Sequence, residues 1–263
     1  MISTSDNLFD IPQWSRVSNV FSYVDKGADL LITVGDSWTY GDSLGKTQVR
    51  NGIDDTQYRL EHVYGKRLSD LTGYSWINLA LPGGSNEWML NSLCQLLPKI
   101  NQSAVCVITL TESGRHEELK FIDQSLPTQQ LVLTHLLART YDRICQLQKQ
   151  YKKIRFVVAH NFTDSAAGII DLCDRSWLEV LLGQQIQKNT HVVVSDYIKY
   201  MNSTRKYVDV LDVIARAEQR IDLMDNCEYC NKEDTRHPNE QGHALWAEYL
   251  FNYINGTSSH YHG

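Results

Sequence analysis

The sequence predicts an α/β protein built on a parallel sheet with helices on both faces. Three observations predict it. Strand-like and helix-like segments alternate along the chain. Strand-like runs such as Ala104 to Leu110 are continuously apolar rather than alternating, the pattern of strands buried on both faces. The segments that follow three of these runs, Gly35-Asp36-Ser37, Pro82-Gly83-Gly84 and Thr111-Glu112-Ser113, are polar or glycine-rich. A parallel sheet gathers them at one rim, beyond the carboxyl ends of the strands, where such sheets bind ligands.

The elements follow in order. Residues 29–35 read as a strand, an apolar β-branched run halted at Gly-Asp-Ser. Residues 42–55 are polar and read as an exposed loop. Residues 57–71 read as a helix with Leu60, Val63, Tyr64, Leu68 and Leu71 on one stripe. Residues 76–81 form a second strand, closed by Pro82-Gly83-Gly84. Residues 86–100 form a helix with Met89, Leu93, Leu96, Leu97 and Ile100 facing inward. Residues 104–110 are a third strand, 128–151 a long helix and 154–159 a fourth strand. A helix near 176–188 precedes a short fifth strand at 191–194. Amphipathic helices cover 206–224 and 239–254. No linker interrupts this pattern, so the expectation is one domain over 1–263. Its core lies at about 28–255, with an N-terminal extension and a frayed tail from Gly256.

Composition narrows the function classes. With 263 residues, 42% of them hydrophobic and 21% charged, the chain reads as globular. A net charge of −6 gives no basic footprint for nucleic acid. No run approaches the roughly 18 apolar residues of a membrane span. The start, Met1 to Asp6, lacks a secretory signal's basic and apolar regions. Cytoplasmic location is therefore the expectation, with six scattered cysteines as free thiols.

The chemistry-bearing residues are a serine, a histidine and a carboxylate. Ser37 falls at the end of the first strand. About two hundred residues later comes Asp234-Thr235-Arg236-His237-Pro238. An Asp three residues before a His reaches its Nδ1 in one turn of chain and fixes the tautomer whose Nε2 takes a proton from a hydroxyl. Ser37, His237 and Asp234 are thus candidates for nucleophile, base and orienter.

These motifs resemble the GDSL, or SGNH, hydrolase superfamily. The first motif matches at Val34 to Trp38 and the last at Asp234, His237 and Pro238. Asn78 to Ser85 is similar to the second. The resemblance implies a three-layer α/β/α sandwich, flavodoxin-like, with a parallel sheet of about five strands. It implies ester hydrolysis through an acyl-enzyme on Ser37, with no metal and no cofactor. The substrate would be a small-molecule, glycan or lipid ester; an acyltransferase on the same residues, or a weakly active fold serving as a binding module, are the alternatives. The oxyanion hole it implies uses the backbone N–H groups of Ser37 and Gly83, with Gly84 as the neighbouring alternative. The third motif departs. The family has Gly-x-Asn-Asp after the third strand, and this chain has Thr111-Glu112-Ser113-Gly114. Ser113 takes the Asn position by spacing, and Asn86 or Arg115 are other possible donors. Losing one such donor typically costs about a hundred- to a thousandfold in rate.

Further residues admit two readings. Trp38, Tyr40 and Trp88 either line an acyl or sugar pocket or pack as ordinary aromatics. Glu112 and Arg115, three apart, are placed to pair and shape that pocket. Cys227-x2-Cys230 with His237 and His243 has partial zinc spacing, but a ligand role for His237 would forbid its role as base. Free thiols are the expectation there, with no metal.

Overall fold

The computed structural model describes residues 21–23, 29–111, 126–161, 172–183, 223–231 and 237–256. Within them the strands are β1 (Phe21–Tyr23), β2 (Leu30–Val34), β3 (Ser75–Asn78), β4 (Ala104–Leu110) and β5 (Ile154–His160). The helices are α1 (Ser37–Tyr40), α2 (Thr56–His62), α3 (Tyr64–Thr72), α4 (Asn86–Leu96), α5 (Leu126–Gln150), α6 (Trp177–Leu182) and α7 (Glu240–Ile254). The strand expected at 191–194 and nearly all of the helix expected over 206–224 lie outside the described residues.

The strands form one sheet in the order β1-β3-β2-β4-β5. β2 pairs in parallel with β3 and with β4, and β4 in parallel with β5. Among the described residues the parallel part thus has four strands; about five were expected. The fifth member is β1, an antiparallel edge strand against β3 from a segment read as extension. After β2 the chain moves outward to β3, then crosses back to β4 on the other side. The carboxyl ends of β2 and β4 therefore flank the point where the winding reverses, the usual ligand crevice of such sheets.

Alternation along each strand divides the core in two. Leu31, Trp76, Val107 and Val157 face a layer holding α3, α6 and α7. Ile32, Ile77, Ile108 and Val158 face α4 and α5. The result is the three-layer α/β/α arrangement. With helices on both faces, every residue of β2 and β4 is buried, which is why their sequences carry no polar alternation.

Two local expectations need correction. The helix expected at 57–71 is broken at Val63, whose φ of −64° and ψ of 145° are extended. Leu60, Val63, Tyr64 and Leu68 are buried, but Leu71 is 46% exposed, because the break turns the stripe away from the core before its last position. The loop at 42–55 is not exposed throughout: Asp42, Ser43, Leu44 and Thr47 are buried, while Gly45, Lys46 and residues 50–54 reach solvent. Elsewhere the boundaries shift little. α4 ends at Leu96 in a short 3₁₀ turn over Leu97–Lys99, and α6 stops at Gly183.

Candidate active site

The site begins where β2 ends. A Cβ on Gly35 would lie 1.9 Å from Thr39 Oγ1, so only glycine lets α1 turn this tightly onto the strand end. Asp36 is the N-cap of α1. Its Oδ1 accepts from the Trp38 N–H at 3.0 Å and from Asn161 Nδ2 at 2.9 Å, and its Oδ2 accepts from Thr111 Oγ1 at 2.7 Å. Thr111 follows β4 and Asn161 follows β5, so one buried carboxylate ties three strand ends together. Asn86 adds a second tie: its side chain donates to the Thr111 carbonyl at 3.0 Å and accepts from the Thr111 N–H at 2.9 Å.

This scaffold presents Ser37 as the first residue of α1. Its Oγ lies 2.7 Å from Nε2 of His237. Both residues are buried. The histidine arrives on a short extended segment just before α7. Asn231 N–H donates to the His237 carbonyl at 2.8 Å, and Asn239 N–H donates to the Tyr229 carbonyl at 2.8 Å, on either side of a Cys230–Pro238 bridge. Asn239 then caps α7 by accepting from the Gly242 N–H. With the proton on Nδ1, Nε2 accepts from the Ser37 hydroxyl, an arrangement able to take that proton. Asp234, Glu112, Ser113 and Arg115 lie outside the described residues.

The second rim loop sits beside this pair. Leu81 N–H donates to the Gly35 carbonyl at 3.0 Å, which carries the β3 side of the rim up to the start of α1. Leu81-Pro82-Gly83-Gly84 then turns, with Gly83 at φ 73° and Gly84 N–H donating to the Leu81 carbonyl at 2.9 Å. That bond occupies Gly84, whereas the Gly83 N–H has no partner among the described residues. Asn86 is committed to the Thr111 backbone, which works against its alternative use as an oxyanion donor.

Of the aromatics that admitted two readings, Trp38 and Tyr40 pack in the core. Trp38 is buried edge-on against Trp177, with ring centroids 5.3 Å apart. Tyr40 is buried beneath the Arg59 guanidinium, and its hydroxyl donates to Asp54 at 3.1 Å. Burial pushes its phenol well above the ordinary range. Both point inward because the single turn of α1 is buried on every side. Trp88 is partly buried against the α4–α5 layer.

The cysteine–histidine spacing does not gather into a centre. Cys227 and Cys230 are buried and hydrogen-bonded to each other; that bond pulls the Cys227 thiol down to about 7 and pushes Cys230 up. His243 is fully buried on α7, and its Nδ1 accepts from the Tyr64 N–H at 3.2 Å. Among the described residues no three His, Cys, Asp or Glu side chains are grouped to hold a metal ion. Among them, too, no helix is long and apolar enough to cross a membrane.

Reading the sequence missed one site residue, Asp42. Its Oδ2 lies 3.9 Å from His237 Nε2. The signal was its position five residues after the serine, on the far side of a glycine that ends a single helical turn.

Several solved structures resemble this fold. A lipolytic protein of the G-D-S-L family from Desulfitobacterium hafniense DCB-2 is 12% identical, covering 85% of this chain and 98% of its own, with a TM-score of 0.40. An extracellular lipase from Streptomyces rimosus is 13% identical, covering 88% of this chain and 100% of its own, with a TM-score of 0.42. A mutant acetyl-xylooligosaccharide esterase from Geobacillus Stearmophilus is 15% identical, covering 87% of this chain and 94% of its own, with a TM-score of 0.39. No curated protein sequence matches the chain significantly. A family model described as GDSL-like Lipase/Acylhydrolase matches residues 31–250. That match takes in most of the chain, from β2 to α7, and the chain belongs to the GDSL-like lipase/acylhydrolase family.

Proposed function

We propose that this protein is a serine esterase or acyl hydrolase acting on a small-molecule, glycan or lipid ester. The observation that carries the reading is the 2.7 Å approach of Ser37 Oγ to His237 Nε2. In this reading Ser37 Oγ bonds to the acyl carbon while its proton passes to His237 Nε2. The backbone N–H groups of Ser37 and Gly83, with Ser113 as the third donor, hold the oxyanion. His237 returns the proton to the leaving alcohol. Water then attacks the acyl-enzyme, giving a proton to the same imidazole, and Ser37 leaves as the free hydroxyl. Asp234 orients His237 through Nδ1. This chemistry asks for no metal or cofactor.

The test is a panel of p-nitrophenyl esters from acetyl to long chain, with fluorophosphonate labelling, on the native protein and on Ser37→Ala. Turnover strongest on short acyl groups, and labelling lost in the variant, are the expected results. A folded native protein that neither labels nor hydrolyses any ester would favour the binding-module alternative, to which the missing Asn after β4 already points. An alcohol added as acceptor separates transferase from hydrolase by the ester product it yields.

A further inference from the structure

The chain just after α1 carries a buried acid that the chemistry above leaves without a role. α1 ends in a Schellman motif. Gly41, at φ 88°, donates to the Trp38 carbonyl at 3.2 Å, and Asp42 N–H donates to the Ser37 carbonyl at 3.0 Å. A Cβ on Gly41 would be strained by that φ and would meet Leu44 Cδ1 at 2.9 Å and Arg59 Cγ at 3.1 Å. The turn therefore folds Asp42 back over the serine. Asp42 Oδ1 accepts from the Ser43 N–H at 3.1 Å and the Val49 N–H at 3.2 Å, so the carboxylate is fixed in direction. Ser43 takes a positive φ of 73°, unusual for a residue with a side chain, in the turn that supplies one of these donors. Asp42 is 4% exposed. Its free-facing oxygen, Oδ2, stands 3.9 Å from His237 Nε2, the nitrogen that meets Ser37.

We propose that Asp42 is a second carboxylate partner of His237, a positioning residue that steadies the imidazolium from its Nε2 side. The proposal rests on the reading of Ser37 and His237 as nucleophile and base. At 3.9 Å the contact is too long for a hydrogen bond, so Asp42 does not displace Ser37 from Nε2. It acts through charge, and the burial of both groups keeps that charge from being screened. A carboxylate facing the lone pair of neutral imidazole is repelled; one facing N–H⁺ is attracted. Both effects favour proton uptake by His237, the event that accompanies attack.

The other described titratable groups around the pair do not supply this charge: the Asp36 carboxylate, next to Ser37, has both oxygens engaged by Trp38, Asn161 and Thr111. His243, from α7, is kept neutral by burial. Tyr40, beside Asp42, is held as a neutral phenol, and the Arg59 cation behind it is paired with Asp54. Asp234 belongs to the proposed Nδ1 side.

The experiment is the pH dependence of kcat/KM on p-nitrophenyl acetate for the native protein, Asp42→Asn and Asp42→Ala. Asn retains an oxygen for the Ser43 and Val49 N–H groups; Ala removes any amide that would donate to Nε2. Loss of the charge lowers the affinity of His237 for its proton. The acid limb should move to lower pH by about half to one unit in both variants, with a plateau roughly tenfold lower. An unmoved acid limb in both folded variants overturns the proposal. Should neither variant fold, the imidazole ¹⁵N titration of His237 in Asp234→Asn decides, since Asp42 still stands 3.9 Å from Nε2 there. A midpoint above the ordinary value of about 6.5 supports the proposal, and one at or below it overturns it. A native protein that shows no labelling sinks the esterase reading and this proposal together; native labelling with an unmoved limb sinks this proposal alone.

Discussion

Nδ1 of His243 accepts the backbone N–H of Tyr64 at 3.2 Å, so a side chain of α7 satisfies the amide exposed where α2 and α3 part company. The ring is fully buried, stacked on Tyr64 and edge-on to Trp177. Burial pulls its pKa down to about 3. The unfolded chain binds a proton at this residue near pH 6.5, and the folded chain does not until near pH 3. Stability from this group is therefore complete above about pH 6.5 and falls as pH drops toward 3, by up to about 1.4 kcal/mol per pH unit. His243→Gln keeps an acceptor for Tyr64 and cannot titrate. Urea unfolding of the two proteins between pH 7 and 4 should show a flatter stability profile for the variant.

Removing the Ser37 hydroxyl should separate chemistry from folding. The oxygen bonds His237 and takes no part in the Asp36 hydrogen bonds that tie the strand ends together. Ser37→Ala is expected to lose a thousandfold or more of any esterase activity, on the order seen for triad serines. Its thermal midpoint should stay within a few degrees of native, as read by calorimetry.

The neighbouring acid should behave in the opposite way. Asp36 accepts from Trp38 N–H, Asn161 and Thr111 with no exposure to solvent. Asp36→Ala removes a helix cap and strands two buried donors, at a cost of roughly 3 kcal/mol or more. Thr111→Val loses one of those bonds and should cost about 1–3 kcal/mol. Denaturant midpoints rank the two; an Asp36→Ala protein as stable as native would remove the carboxylate from its tying role.

Asp234→Asn tests the proposed orienter. An amide at Nδ1 favours the wrong imidazole tautomer, and the expected loss in kcat is about a thousand- to ten-thousandfold with an unchanged circular dichroism spectrum. Full activity in that variant would take Asp234 out of the site.

The sequence was most legible where burial was complete. Ala104 to Leu110 and Ile154 to Ala159 are apolar because helices cover both faces of the sheet, and their boundaries could be read almost to the residue. The serine and histidine were legible for a different reason, since their motifs mark chain reversals at strand and helix ends. β1 was missed because a three-residue edge strand needs only one partner and no apolar run. The break at Val63 was missed because the group that accepts from the Tyr64 amide there, His243, lies 179 residues away. Trp38 and Tyr40 were ambiguous because a single helical turn has no periodicity to show which way it faces. Asp42 was hidden for a related reason: a polar residue after Gly looks solvated until the turn is known to fold inward.

The hydrogen bonds that place His237 join it to residues 229–231, and its position in space depends on α7 seating against α3 and α6. Ser37 and His237 lie 200 residues apart and meet only with α7 in place. The Ser37 hydroxyl is thus without its imidazole partner until α7 docks. Under the proposed chemistry, damage that unseats α7 silences the protein before it unfolds the sheet.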